Sequence, residues 1–261
     1  MRIVTFASGS SGNCSLISEC KANILIDAGI SMRRTLAALS ELGLAPQDLC
    51  GVLITHEHSD HISGLSMLLK HYEMSIFAPK SLCEELARLK PETKTSLNAI
   101  PEGEKFDLGG IEVSCFRTMH DAVYSVGYRF EGEQTAAFAT DVGCINDTLI
   151  GGLEGADLAL IEANHDLAML RNGRYPYFLK QRILAPTGHL SNDDSGKLAL
   201  HLAKSGTSNI ILGHLSRDNN TPELALSTVR AAVSGENTEI SVASPNNLLA
   251  VEAHERLKCL V

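Results

Sequence analysis

Apolar residues along this chain fall into short runs separated by polar or glycine-containing turns, the pattern of strands buried on both faces. In the first third, residues 3–6, 15–18 and 23–26 read as strands, the last ending at Asp27-Ala28-Gly29. Ser31 then caps a helix predicted to reach Leu42, with Leu36, Leu39 and Leu42 on its apolar side. A buried strand over 52–55 and a helix over 62–72 follow, and the alternation repeats as a strand at 75–78 and a helix at 81–89. The middle is more purely β, with strands at 111–117, 125–130 and 135–140 and a hairpin turn at Glu131-Gly132-Glu133. Beyond it the pattern predicts a strand at 158–161, a helix at 193–204, a strand at 209–212 and a helix at 222–233.

Strands grouped in each half, with helices at intervals, suggest two sheets packed face to face with helices outside. No repeat, low-complexity tract or linker interrupts the 261 residues, so one domain over 1–261 is expected. A hydrophobic content of 44% is enough for a sizeable core, and no apolar window approaches a membrane span. The apolar start at 3–6 is too short for a signal-peptide core, and the seven cysteines are scattered with no CxxC pair. A reducing, cytoplasmic setting is therefore expected.

The net charge of −9 argues against a general polyanion binder, leaving a local basic patch or bound cations as the route to phosphate. Gly9-Ser10-Ser11-Gly12 resembles a phosphate loop, but no Gly-Lys-Ser/Thr follows, so nucleoside triphosphate binding is unsupported.

The densest chemical signal is Thr55-His56-Glu57-His58-Ser59-Asp60-His61, directly after an apolar strand. In an extended segment His56 and His58 point the same way, being two apart. Asp60 and His61 then fall in the first turn of the next helix. One loop thus offers two ligand pairs, and imidazole with carboxylate suits zinc, manganese or iron. Three further metal-type side chains stand at carboxyl ends of predicted strands, where a shared cleft forms: His120, Asp141 and His214. A pair of divalent ions would place His56, His58 and His120 on one metal and Asp60, His61 and His214 on the other, with Asp141 bridging. Taken singly, each strand-end residue also reads as a hydrogen-bonded turn residue.

Asp27 at a strand end, the Thr55-His56-x-His58-x-Asp60-His61 motif, then His120, Asp141 and His214 in that order resemble the metallo-β-lactamase superfamily across nearly the whole chain. The resemblance implies an α/β four-layer αββα sandwich of two mixed sheets, with a dinuclear site at one edge. It also implies that Asp27 orients the ligand loop without itself holding metal. True β-lactamases of this fold carry Cys where this chain has Asp141, so antibiotic hydrolysis is not expected.

Within the superfamily, Ala7-Ser8-Gly9-Ser10-Ser11-Gly12-Asn13, Glu162-Ala163-Asn164-His165-Asp166, Gly188-His189-Leu190-Ser191-Asn192 and Gly213-His214-Leu215-Ser216-Arg217 resemble the YycJ/WalJ-type, nuclease-like branch. That implies phosphodiester cleavage on nucleic acid, with 5′-exonuclease action on DNA favoured. Glu162 and His189 resemble the carboxylate–imidazole proton relay of the tRNA 3′-processing branch, with Asp60 expected to serve in catalysis as well as ligation. A buried turn histidine is the equal alternative for His189.

Residues 170–184 carry Arg171, Arg174, Lys180 and Arg182 without an acid, interleaved with Tyr175, Tyr177 and Phe178. This is either a surface for phosphates and bases or a solvated helix face. Arg171, Arg174, Arg217, Asn13 and His165 are the expected substrate-binding residues. His71, His201 and His254 lie apart from any cluster. Other readings are a small-molecule ester, thioester or cyclic-phosphodiester hydrolase, and a non-catalytic metal-binding regulatory module. Oligomeric state is left open.

Overall fold

The computed structural model describes residues 1–101 and 103–253; His254 and Cys259 lie outside the described residues. The first half supplies β1 (Arg2–Ala7), β2 (Cys14–Glu19), β3 (Ala22–Ile26), β4 (Gly51–Leu53), β5 (Ile76–Pro79) and β6 (Leu97–Ile100). The second half supplies β7 (Phe106–Leu108), β8 (Ile111–Arg117), β9 (Val126–Glu131) and β10 (Thr135–Ala139). It continues with β11 (Leu158–Glu162), β12 (Asn209–Gly213), β13 (Glu239–Val242) and β14 (Leu249–Glu252). They form two seven-stranded sheets, ordered β14-β1-β2-β3-β4-β5-β6 and β7-β8-β9-β10-β11-β12-β13.

Both sheets follow one rule: the first four strands in these orders pair antiparallel, and β3 to β6 and β10 to β13 pair parallel. The parallel strands need crossovers, and helices provide them. In the first sheet these are α1 (Met32–Glu41), α2 (Ser59–Ile62), α3 (Leu65–His71) and α4 (Lys80–Leu89). In the second they are α5 (Asp147–Leu153), α6 (Leu167–Asn172), α7 (Tyr177–Leu184), α8 (Asn192–Lys204) and α9 (Pro222–Ala232).

The period-2 alternation sorts side chains between layers. Ile24 and Ile26 of β3 enter a core between the sheets with Leu53, Val113, Tyr128, Phe130 and Leu160. Leu25 turns the other way, to a second core under α1, α3 and α4 with Leu39, Leu68 and Leu86. A third core packs Leu149, Leu198 and Val229 of α5, α8 and α9 on the outer face of the second sheet. The result is the four-layer αββα sandwich. No helix among the described residues is long and apolar enough to cross a membrane.

Local signals explain most helix starts. Ser31, Ser191 and Thr221 each accept a backbone N–H in the first turn of α1, α8 and α9. The single helix expected over 62–72 is broken at Ser63-Gly64. There the Gly64 amide donates to Ala28 O at 2.7 Å, and a Cβ on Gly64 would sit 1.9 Å from Ile30 O. The basic segment 170–184 is likewise two helices, with Gly173 to Pro176 between α6 and α7. The short edge strands β6, β7, β13 and β14 carry too little apolar pattern to be read. The Gly151-Gly152 pair disguised α5, where a Cβ on Gly152 would meet the Phe116 ring at 2.3 Å.

Candidate metal centre

Strand ends from both sheets converge at one edge of the sandwich. Three of them turn through positive φ at a non-glycine residue: Asp27 after β3 at 59°, Asp141 after β10 at 57° and His214 after β12 at 55°. Such a conformation is costly for a branched or bulky residue, and its concentration at one edge marks a constrained site.

Asp27 organises the ligand loop. Its Oδ1 accepts the Thr55 amide at 2.8 Å and its Oδ2 accepts the Thr55 hydroxyl at 2.8 Å. The same Oδ2 lies 2.7 Å from Nδ1 of His61, so in a neutral ring Nδ1 carries the proton and Nε2, 3.2 Å from Asp141 Oδ2 and 3.0 Å from Asn13 Nδ2, is the candidate ligand atom. Gly29 lets the Asp27 loop pack against α2, because a Cβ there would lie 1.6 Å from Asp60 O. Asn13 N donates to that carbonyl at 2.8 Å and Ala28 N to His61 O at 2.8 Å.

His120 enters from the loop after β8. Its Nδ1 donates to Gly188 O at 3.1 Å, which leaves Nε2 unprotonated in a neutral ring and 3.3 Å from Nδ1 of His58. Glu57, between His56 and His58, pins this loop by accepting the Val123 amide at 2.6 Å.

Two of the ligand groups that form match the expected division. His56, His58 and His120 bring ligand atoms within 4.8 Å of one another, and so do Asp60, His61 and His214. Asp141 lies between them. Its Oδ1 is 3.6 Å from His120 Nε2 and 4.0 Å from His56 Nε2, and its Oδ2 is 3.2 Å from His61 Nε2. His56 Nε2, Asp141 Oδ2 and His214 Nε2 are buried and make no hydrogen bond. Orphaned buried polar atoms are costly, and here three lie in one cluster of imidazoles and carboxylates. The donor set fits divalent cations of the zinc, manganese or iron type.

Glu162, at the end of β11, is fully buried and completely bonded. Its Oε1 accepts from Nδ1 of His189 and of His214, each at 2.8 Å, and its Oε2 accepts the amides of Val142 at 2.9 Å and Leu190 at 3.1 Å. Burial alone would raise this carboxyl, but the His189 and His214 imidazoles hold it down to about 2.

Burial likewise opposes ionisation of Asp60 and Asp141, yet the surrounding histidines keep both well below the carboxylate range. Burial pushes His56 and His120 down, the form a ligand needs. Against the same burial, Asp141 chiefly lifts His61 and His214, the latter to about 10, and Glu162 lifts His189.

The cleft above the cluster measures 240 Å³; its far wall is Tyr175, Leu179, Arg182 and Ile183. The expected substrate contacts are only partly gathered there. Arg171 and Arg174 are exposed but do not line it; Arg182 does, paired with Asp121 beside His120. The bend between α6 and α7 turns the charges of one segment in different directions. Asn13 is buried and does not line the cleft, its Oδ1 accepting Gly9 N at 2.9 Å and its Nδ2 lying 3.2 Å from Asp60 Oδ2 and 3.0 Å from His61 Nε2. His165 is 1% exposed and does not line the cleft; burial lowers its imidazole to about 4. Arg217 lines a neighbouring cavity. Sequence reasoning missed Asp121 and Glu57, although each adjoins a candidate ligand.

The model of the Beta-lactamase superfamily domain matches residues 22–214. Over 227 residues the chain is 40% identical to Exodeoxyribonuclease WalJ of Streptococcus pneumoniae serotype 2 (strain D39), covering 85% of this chain and 84% of that one. It is 37% identical over 225 residues to Exodeoxyribonuclease YycJ of Bacillus anthracis, covering 85% of each. Among solved structures, the metallo-β-lactamase fold protein YhfI from Bacillus subtilis superposes with a TM-score of 0.72 at 19% identity, covering 96% of this chain and 99% of that one.

Proposed function

The chain belongs to the metallo-β-lactamase superfamily, in the branch of the exodeoxyribonucleases WalJ and YycJ, and from that premise we propose that it is a metal-dependent 5′-exonuclease acting on DNA. The observation that carries the reading is Asp141 set between two ligand groups, with three buried ligand atoms left without hydrogen bonds. His56, His58 and His120 would hold one divalent cation and Asp60, His61 and His214 the other, with Asp141 shared. Such ions, manganese, zinc or iron, supply Lewis-acid activation of water and neutralise charge on a phosphoryl group.

The protein's own groups do the rest. Asp27 and Glu162 fix the tautomers of His61 and His214. Glu162 accepts a hydrogen bond from Nδ1–H of His189 and favours its imidazolium, so Nε2–H can donate to the leaving oxygen. Arg182, at the cleft wall, meets a phosphate once it leaves Asp121. Tyr177 and Phe178, 76% and 73% exposed on α7, offer faces to unpaired bases. Cys14, Cys20, Cys50, Cys83 and Cys144 are free thiols, which suits a reducing compartment, and we place the reaction in the cytoplasm.

The test is hydrolysis of a 5′-phosphorylated, end-labelled DNA strand by the Mn²⁺-loaded protein, with a thioester and bis(p-nitrophenyl) phosphate in parallel. Stepwise release of mononucleotides from the 5′ end, abolished by a chelator, is expected. Turnover of the small substrates with the DNA untouched would overturn the assignment.

A further inference from the structure

A second cavity opens beside the metal cleft and shares Ser10, Tyr175 and Ser216 with it. Its volume is 580 Å³, against 240 Å³ for the cleft. Small-ligand pockets span roughly 300–1,000 Å³, so the side cavity is the larger and better-sized container of the two. Leu215, Pro222 and Pro245 give it apolar walls, and Leu215 directly follows His214 in the chain.

The remaining lining is polar and rich in groups with capacity to spare. Ser11 and Asn246 present exposed side chains from opposite loops, and Arg217 makes no ion pair among the described residues. Tyr175 stands at the seam between the two cavities. Its hydroxyl donates to Asp218 Oδ2 at 2.9 Å, which holds the ring in place as a shared wall.

We propose that this side cavity is a nucleoside subsite, taking the base and sugar of the nucleotide whose phosphate lies over the metal centre. The inference rests on the nuclease reading and extends it from the reacting phosphate to the group attached to it. Three features select a nucleoside. The cavity is continuous with a centre built for phosphate, its apolar walls can pack against the flat face of any base, and its hydroxyl and amide groups can meet base edges or sugar oxygens. Arg217, on the cavity wall, supplies a cation for a neighbouring phosphate.

The experiment is equilibrium dialysis of labelled thymidine 5′-monophosphate and of inorganic phosphate against the metal-loaded full chain. Phosphate measures the metal centre alone, so the ratio of the two affinities isolates the cavity. The nucleotide is expected to bind about tenfold or more tighter than phosphate, the scale of one packed base. Ser11→Trp and Asn246→Trp, which fill the cavity from opposite exposed rims, should each bring the ratio close to one while thermal melting shows a folded protein.

A wild-type ratio near one, or a folded variant of either kind that keeps the full advantage, would overturn the subsite. Failure of the nuclease reading is visible separately. In that case the wild-type protein leaves DNA intact, whatever the dialysis ratio; in the converse case DNA is degraded with a ratio near one, and only the subsite falls.

Discussion

Glu162 and His214 meet at the carboxyl ends of adjacent parallel strands, with Glu162 Oε1 accepting the Nδ1 proton of His214 at 2.8 Å. The same oxygen accepts from His189 at 2.8 Å. One buried carboxylate therefore orients both a candidate metal ligand and the candidate proton donor, and the two roles can be separated by mutation.

Glu162→Gln must set an amide NH₂ against either the two imidazole N–H groups or the two backbone N–H groups, leaving buried donors unpaired at about 1–3 kcal/mol. Metal affinity should fall about 10–100-fold and turnover with it. His189→Ala should lower kcat about 10²–10⁴-fold while metal content holds. Metal analysis by mass spectrometry beside DNA hydrolysis separates them, and equal metal loss in both variants would contradict this division.

Asp27 makes three bonds that an amide cannot reproduce, because Thr55 N, Thr55 Oγ1 and His61 Nδ1 all turn toward its oxygens. Asp27→Asn should cost about 10–100-fold in metal affinity, measured by competition with a coloured chelator. An affinity equal to wild type would show that the ligand loop holds its shape without this carboxylate.

Arg182 lines the cleft, whereas Arg171 and Arg174 do not. Arg182→Ala should raise the KM for DNA and reduce the steepness of its salt dependence by about one unit of slope, as expected for one lost phosphate contact. Arg171→Ala and Arg174→Ala should change both quantities less. A larger effect from either of these would move the substrate path onto α6 and the bend that follows it.

Gly29→Ala places a methyl group 1.6 Å from Asp60 O, a backbone atom that has no rotamer to escape by. The loop carrying Asp60 and His61 must shift, so the variant should lose metal binding and melt at lower temperature. Gly43, where an added Cβ meets nothing within 4 Å, is a poor control only for its positive φ of 71°. Gly151→Ala, with open space and no such backbone constraint, should behave like wild type in the same assays.

Burial raises the Cys83 thiol from its ordinary 9.0 to about 11 and the Cys14 thiol further still. A raised native value means that the neutral thiol is favoured in the fold. The stabilisation is complete below about pH 9 and is lost as the pH rises from there toward 11. Urea midpoints should fall over that window, and at pH 8 a thiol reagent should modify exposed Cys20 well before Cys83 or Cys14. Rapid native-state reaction of Cys83 at pH 8 would count against this.

The ligand motif was legible because it is local. His56, His58, Asp60 and His61 fall within six residues, and the strand ahead of them sets their directions. His120, Asp141 and His214 could be read from their places after apolar strands, and the structure brings them to the same edge. Less legible was the support behind them. Glu162 reaches His214 only because β11 and β12 are neighbours, and Asp27 reaches Thr55 only because β3 and β4 are. The basic segment was visible, but not that a bend after α6 would turn Arg182 alone into the cleft.

By itself, the sequence determined the layer pattern and the chemical character of the centre, since strand periodicity and a dense histidine–aspartate loop are properties of nearby residues. Tertiary structure alone decided which carboxylate serves which imidazole, that Asn13 and His165 are buried, and that a second cavity adjoins the first. Those depend on which strands become neighbours and how closely their connecting loops pack, and residues far apart in the chain meet there under constraints that no local pattern encodes.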